Sequence, residues 1–159
     1  MLVVIGCGNL NRSDDGVGVV VIRNLMARLA NRCPSVRIFD AGTGGMEILF
    51  QARGAKKLVI VDACSSGSEP GSVFEVPGQE LANPPKPSFN LHDFRWDHAL
   101  YAGRRIWADD FPREITVFLI EAATLTYGLD LSPAVMRAAE TVAARIARLI
   151  EAYPTREDA

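Results

Sequence analysis

The sequence predicts an α/β fold, a three-layer α/β/α sandwich built on a mostly parallel, twisted sheet of about five strands with one antiparallel edge. Three observations carry that expectation. Short, continuous apolar runs rich in Val and Ile alternate with segments of helical periodicity, the pattern of strands covered on both faces and linked by crossover helices. One later strand follows its predecessor with no helix between them, which suits an antiparallel edge. The chain has 159 residues, 48% of them hydrophobic, enough to fold around one core.

Leu2 to Ile5 is an apolar run closed by glycines and reads as the first strand. Gly16 to Leu29 carries Val17, Val20, Val21, Leu25 and Leu29 at helical spacing, behind Ser13, Asp14 and Asp15 as cap and first-turn acids. Val36 to Phe39 reads as a strand, Met46 to Gln51 as a short helix, and Leu58 to Val61 as a buried strand closing on Asp62. Right-handed crossovers then make the strand order 2-1-3, with the first and third strands adjacent. Ala63 to Gly71 is rich in Ser and Gly, and Ser72 to Val76 alternates as the antiparallel edge. The stretch from Pro77 to Asn90 holds four prolines, His92 to Trp107 can be helical, and Ile115 to Ile120 is another buried strand. Ser132 and Pro133 cap a last helix whose stripe is Val135, Ala139, Val142, Ile146, Leu149 and Ile150, and Pro154 ends it. No repeat or linker divides the chain, so residues 1–153 are expected to form one domain followed by a short tail, 154–159.

Composition narrows the function. Seventeen Lys and Arg against nineteen Asp and Glu give a net charge of −2, with no local basic cluster, so nucleic acid is not an expected partner. The opening run MLVVIGCG has no basic leader and breaks on glycine too early for a signal peptide or membrane span, so a cytoplasmic protein without a membrane partner is expected. Cys7, Cys33 and Cys64 are odd in number with no C-x-x-C pair, which suggests neither a disulfide framework nor a zinc ribbon.

In an open parallel sheet, ligands bind outside the carboxyl ends of the strands, where strand order reverses. Two loops meet that description, Gly6 to Asp15 after the first strand and the tip of the third strand at Asp62. With neighbouring strands about 4.8 Å apart, acids on adjacent loops can converge on one point. A histidine arriving on a third segment, as His92 could, would complete a mixed nitrogen and oxygen ligand set for a borderline metal such as nickel or zinc. The plainer readings are that Asp14 and Asp15 complement a helix dipole, that Asp62 caps a loop, and that His92 and His98 are ordinary helix residues. Gly6-x-Gly8 begins a dinucleotide fingerprint, but Asn11 replaces its third glycine and two acids stand where a pyrophosphate needs amides. Cys7 and Cys64 near strand ends leave a cysteine hydrolase of the same architecture open. A receiver-like signalling module with an acidic metal pocket is also open. Glu121-Ala122-Ala123-Thr124 offers no lysine after the last strand for such a module, and phosphorylation of Asp62 by a small phosphodonor would identify one.

Taken together, V-I-G-C-G-N-L-N-R-S-D-D-G-V-G-V from Val4, the segment Asp40-Ala41-Gly42-Thr43-Gly44-Gly45-Met46-Glu47, Val59 to Ala63, His92 after a variable loop, and Gly128-Leu129-Asp130-Leu131-Ser132-Pro133 resemble the hydrogenase maturation endopeptidases nearly from end to end. The resemblance implies a peptidase that removes a short C-terminal extension from the precursor of a nickel-iron hydrogenase large subunit. It acts once nickel is in place, with the metal a recognition signal carried by the substrate and not held permanently. Carried over by position, the nickel-recognising and catalytic groups fall on Asp15, Asp62 and His92, and the substrate-recognition loop on Asp40, Gly42 and Thr43. The expected partner is that precursor, and a monomer is expected. Two positions depart from the family pattern: Asp15 stands where many members have Glu, and Ala41 replaces the first glycine of the recognition loop, where a positive φ would strain any residue with a Cβ. No role is assigned to Glu121.

Overall fold

A computed structural model describes residues 1–29, 34–80 and 95–154. Five strands form one sheet: β1 (Leu2–Cys7), β2 (Val36–Gly42), β3 (Lys57–Cys64), β4 (Val73–Pro77) and β5 (Glu114–Glu121). Their order is β2-β1-β3-β5-β4. β1 pairs in parallel with β2 and with β3, β3 pairs in parallel with β5, and β4 runs antiparallel to β5 as the edge. The adjacency of the first and third strands and the antiparallel edge follow the sequence pattern.

The pleat sorts the strand residues between two cores. Leu2 and Val4 of β1, Val59 and Val61 of β3, and Phe118 and Ile120 of β5 meet α1 (Val17–Leu29) and α4 (Pro133–Glu151) on one face. Val3, Ile5, Leu58, Ile60, Ile115 and Val117 meet α2 (Gly45–Ala52) and α3 (Trp96–Trp107) on the other. Period-two alternation in a sheet covered on both sides leaves β1 wholly buried, and its six residues read as one apolar run for that reason. No helix among the described residues is long and apolar enough to cross a membrane.

Several boundaries differ from the sequence expectation. β3 runs on to Cys64, because its parallel ladder with β5 continues through Asp62 opposite Leu119 and Cys64 opposite Glu121. Asp62 is therefore a strand residue, 3% exposed, and not a loop cap. Ser13–Gly16 forms a 3-10 turn ahead of α1 with no side-chain cap hydrogen bond. On α1, Ile22 joins Val17, Val21 and Leu25 in the core, while Val20 and Leu29 are only partly covered. Arg95 is extended and α3 begins at Trp96; the expected helical start at His92, like the stretch 81–94 that contains it, lies outside the described residues.

Gly18 explains how α1 reaches the sheet. A Cβ there would collide with the carbonyl oxygens of Cys7 and Val61, so only glycine lets this turn of α1 rest on the ends of β1 and β3. The packing brings the turn carrying Asp14 and Asp15 over the carboxyl edge of the sheet.

Candidate active site

β1, β2 and β3 all end at the same edge, where β1 leads to β2 on one side and β3 joins it on the other. A cleft of about 320 Å³ opens there, with Asp15, Asp62, Gly42, Thr43, Cys7, Arg12, Arg95 and Trp96 among its lining residues. Asp15 and Asp62 thus face one space, and Gly42 and Thr43 form part of its wall. Asp40 does not line this cleft; it lines a neighbouring hollow that shares Gly42 and Thr43. His92 lies outside the described residues. Among the described residues, no three His, Cys, Asp or Glu side chains group as a metal seat.

The adjacent aspartates have separate tasks. Asp14 is fully buried and accepts from the amides of Ala123, Thr124 and Ser132 and from the Ser132 hydroxyl, at 2.7–3.1 Å. It fastens the turn to the segment between β5 and α4 and does not serve as a first-turn dipole acid. Ser13 and Arg12 reinforce that fastening through the carbonyls of Gly128, Thr126 and Leu125. Ser13 takes a φ of +51°, an uncommon backbone held by these bonds. Asp15, one residue on, is only partly covered; its Oδ2 accepts from the Asn9 amide at 3.2 Å and its carboxylate faces the cleft.

Asp62 is the buried member of the pair. Its Oδ1 accepts from the Ala63 amide at 2.8 Å, and its Oδ2 accepts from Arg95 Nη2 at 2.8 Å. Burial pushes the Asp62 pKa up, with Asp15 adding to the effect, and the Arg95 charge offsets only part of it. Burial alone would lower Arg95, but the Asp62 charge and hydrogen bond hold the guanidinium above its ordinary value. The cleft thus holds two carboxylates, of which Asp62 is paired with a guanidinium.

At the end of β2, Asp40 Oδ1 accepts from the Gly42 amide at 3.0 Å and Oδ2 pairs with Arg23 at 3.1 Å. This closes a tight local turn. Gly42 takes a φ of +51°, whereas the only non-glycine positive φ values among the described residues are at Ser13 and Ala108. The left-handed position thus falls on Gly42 and not on its neighbour, and Ala41 fits without strain.

Glu121 is a residue that sequence reasoning left without a role. It is 2% exposed and accepts from the amides of Ser66 and Gly67 and from the Ser66 hydroxyl at 2.8–3.1 Å. Those bonds, the Ser66 hydroxyl foremost, hold its pKa below the usual carboxylate range. The signal was a carboxylate ending a buried strand together with a Ser- and Gly-rich stretch needing an acceptor. Cys64 Sγ also donates to Glu121 at 3.2 Å; burial first, then this carboxylate, pushes its thiol up to about 12. Cys7, buried beside Asp62, is likewise pushed well up, chiefly by burial. Cys33 lies outside the described residues.

Known proteins show the same architecture. The structure superposes on the hydrogenase maturating endopeptidase HybD from E. coli with a TM-score of 0.76 at 24% identity, covering 99% of both chains. It matches a [NiFe] hydrogenase maturation protease HycI from Thermococcus kodakarensis with a TM-score of 0.72 at 21% identity, covering 94% of this chain and 92% of that one. In sequence, the chain is 28% identical to the hydrogenase 2 maturation protease of Escherichia coli K12 over 136 residues, 84% of this chain and 80% of that protein. It is 35% identical over 96 residues to the coenzyme F420 hydrogenase subunit delta of Methanothermobacter thermautotrophicus, a match that spans 57% of this chain and 59% of that relative's length. A 35% identical relative from Methanocaldococcus jannaschii is likewise matched over 60% of its length. The HycI family model, described as hydrogenase maturation protease, matches residues 19–149, a stretch that contains Asp40 to Thr43, Asp62 and His92 and begins just past Asp15. With most of its length matched by that model, the chain belongs to the hydrogenase maturation protease family.

Proposed function

We propose that the protein is an endopeptidase that removes a C-terminal extension from the precursor of a nickel-iron hydrogenase large subunit, and that nickel already in the precursor is its recognition signal. The observation that carries this reading is the convergence of Asp15 and Asp62 on one cleft at the carboxyl edge of the sheet, with Gly42 and Thr43 in its wall. Two carboxylates, joined by the imidazole of His92, clasp a cation that the substrate presents. The clasp fixes the precursor's tail against the Asp40 to Thr43 loop, so that the scissile peptide is positioned before water attacks it. In this reading the enzyme works as a monomer in the cytoplasm.

Two alternatives have observations against them. A signalling module of the receiver type has an all-parallel sheet, whereas β4 here is antiparallel. A cysteine hydrolase needs a thiolate, yet Cys7 and Cys64 are both pushed toward the neutral thiol.

The test is cleavage of nickel-loaded and nickel-free precursor followed by gel shift. Only the loaded form is expected to be cut. His92→Ala, Asp15→Asn and Asp62→Asn are each expected to slow cutting by about 10- to 100-fold with the melting temperature retained. Equal cutting of both forms, or full activity in Asp62→Asn, rejects the reading.

A further inference from the structure

Asp62 offers its outer oxygen to a guanidinium. Asp62 Oδ1 is committed to the Ala63 amide, so Oδ2, the oxygen nearest the cleft's own cation, is the one a new ligand can take, and Arg95 Nη2 sits on it at 2.8 Å. The two partners differ in freedom: the Asp62 side chain is 4% exposed and the Arg95 side chain 58%. Arg95, more than half exposed, can turn toward water, whereas Asp62 stays enclosed. Arg12, the other guanidinium of the cleft, is tied to the Leu125 carbonyl and lies over the Tyr127 ring, so it does not stand in for Arg95 on Asp62.

We propose that Arg95 is a displaceable counter-ion that sets the specificity of the site, holding Asp62 against free metal ions and yielding it only to a divalent cation presented on a docked precursor. The inference rests on the nickel-directed reading above. A free ion must displace the guanidinium unaided. A precursor-borne cation has the contacts of the whole substrate behind it, which shifts the exchange in its favour. Arg95 is thus a positioning residue acting through Asp62.

The experiment is calorimetric titration of the full-length protein with nickel chloride, beside the cleavage assay. Arg95→Ala is expected to bind free nickel at least about tenfold more tightly than wild type, and Arg95→Lys to stay close to wild type. Adding Asp62→Asn to Arg95→Ala is expected to abolish the gain. An unchanged melting temperature of Arg95→Ala separates a gain at Asp62 from nickel taken up by thiols and imidazoles of an unfolded chain. If Arg95→Ala binds nickel no more tightly than wild type, or if the gain survives Asp62→Asn, the counter-ion role is overturned. Should that happen while only loaded precursor is cut, the peptidase reading stands without it. If instead the Asp62-dependent gain appears while both precursor forms are cut equally, Arg95 guards Asp62 but nickel is not the signal.

Discussion

Asp14 and Asp15 are neighbours of the same chemistry, and position alone divides them. Asp14 faces inward, where four donors converge on its carboxylate. Replacing it by Ala strands buried amides, and Asp14→Ala is expected to cost about 3 kcal/mol of stability, read by denaturant unfolding. Asp15→Asn, which touches one amide at the cleft rim, is expected to leave unfolding nearly unchanged. The cysteines submit to a similar test. With Cys64 pushed up to about 12, it is a thiol at neutral pH and alkylates slowly. Cys7→Ala and Cys64→Ala are therefore expected to retain precursor cleavage. Complete loss in a variant that stays folded would put a thiol nucleophile first. Asp62 was legible in the sequence because a polar residue ended an apolar run. Arg95 was not, since a salt bridge across 33 residues leaves no periodic trace.

At the level of elements, strands announced themselves and their ends did not. The apolar runs marked β1, β3 and β5 correctly, but each ladder continues past its run, because backbone pairing needs only an aligned neighbour and not an apolar side chain. The polar extensions hold the carboxylates proposed for the site and one that fastens the fold: Asp40 on β2, Asp62 on β3 and Glu121 on β5. The contact of α1 with the sheet depends on Gly18, and Gly18→Ala sets a methyl against two backbone carbonyls that cannot move aside. A loss of about 3 kcal/mol is expected, with the turn bearing Asp15 lifted and cleavage reduced along with stability. The Glu121 bonds predict a pH effect of defined sign. A carboxylate whose folded pKa is depressed stabilises the fold above its unfolded value, and that contribution disappears as pH falls through the folded one. The melting temperature of Glu121→Gln is expected to lie below wild type at neutral pH, and the gap to close as the solution is taken below the ordinary glutamate range. A gap that stays constant with pH would mean that the charge on Glu121 is not what holds Ser66 and Gly67.

For the whole molecule, strand order was readable because right-handed crossovers leave few topologies, and the order in turn pointed to the edge at which Asp15 and Asp62 meet. What holds that edge in shape was not readable. The turn after β1 is secured by residues 109 to 118 positions further along, through Ala123, Thr124 and Ser132. During synthesis, β1, β2 and β3 leave the ribosome long before those partners do. A nascent chain stalled ahead of Ala123 holds every described cleft carboxylate yet lacks all the donors that clamp Asp14 beside Asp15. On the proposed function, competence to cut would then wait until the segment between β5 and α4 has emerged.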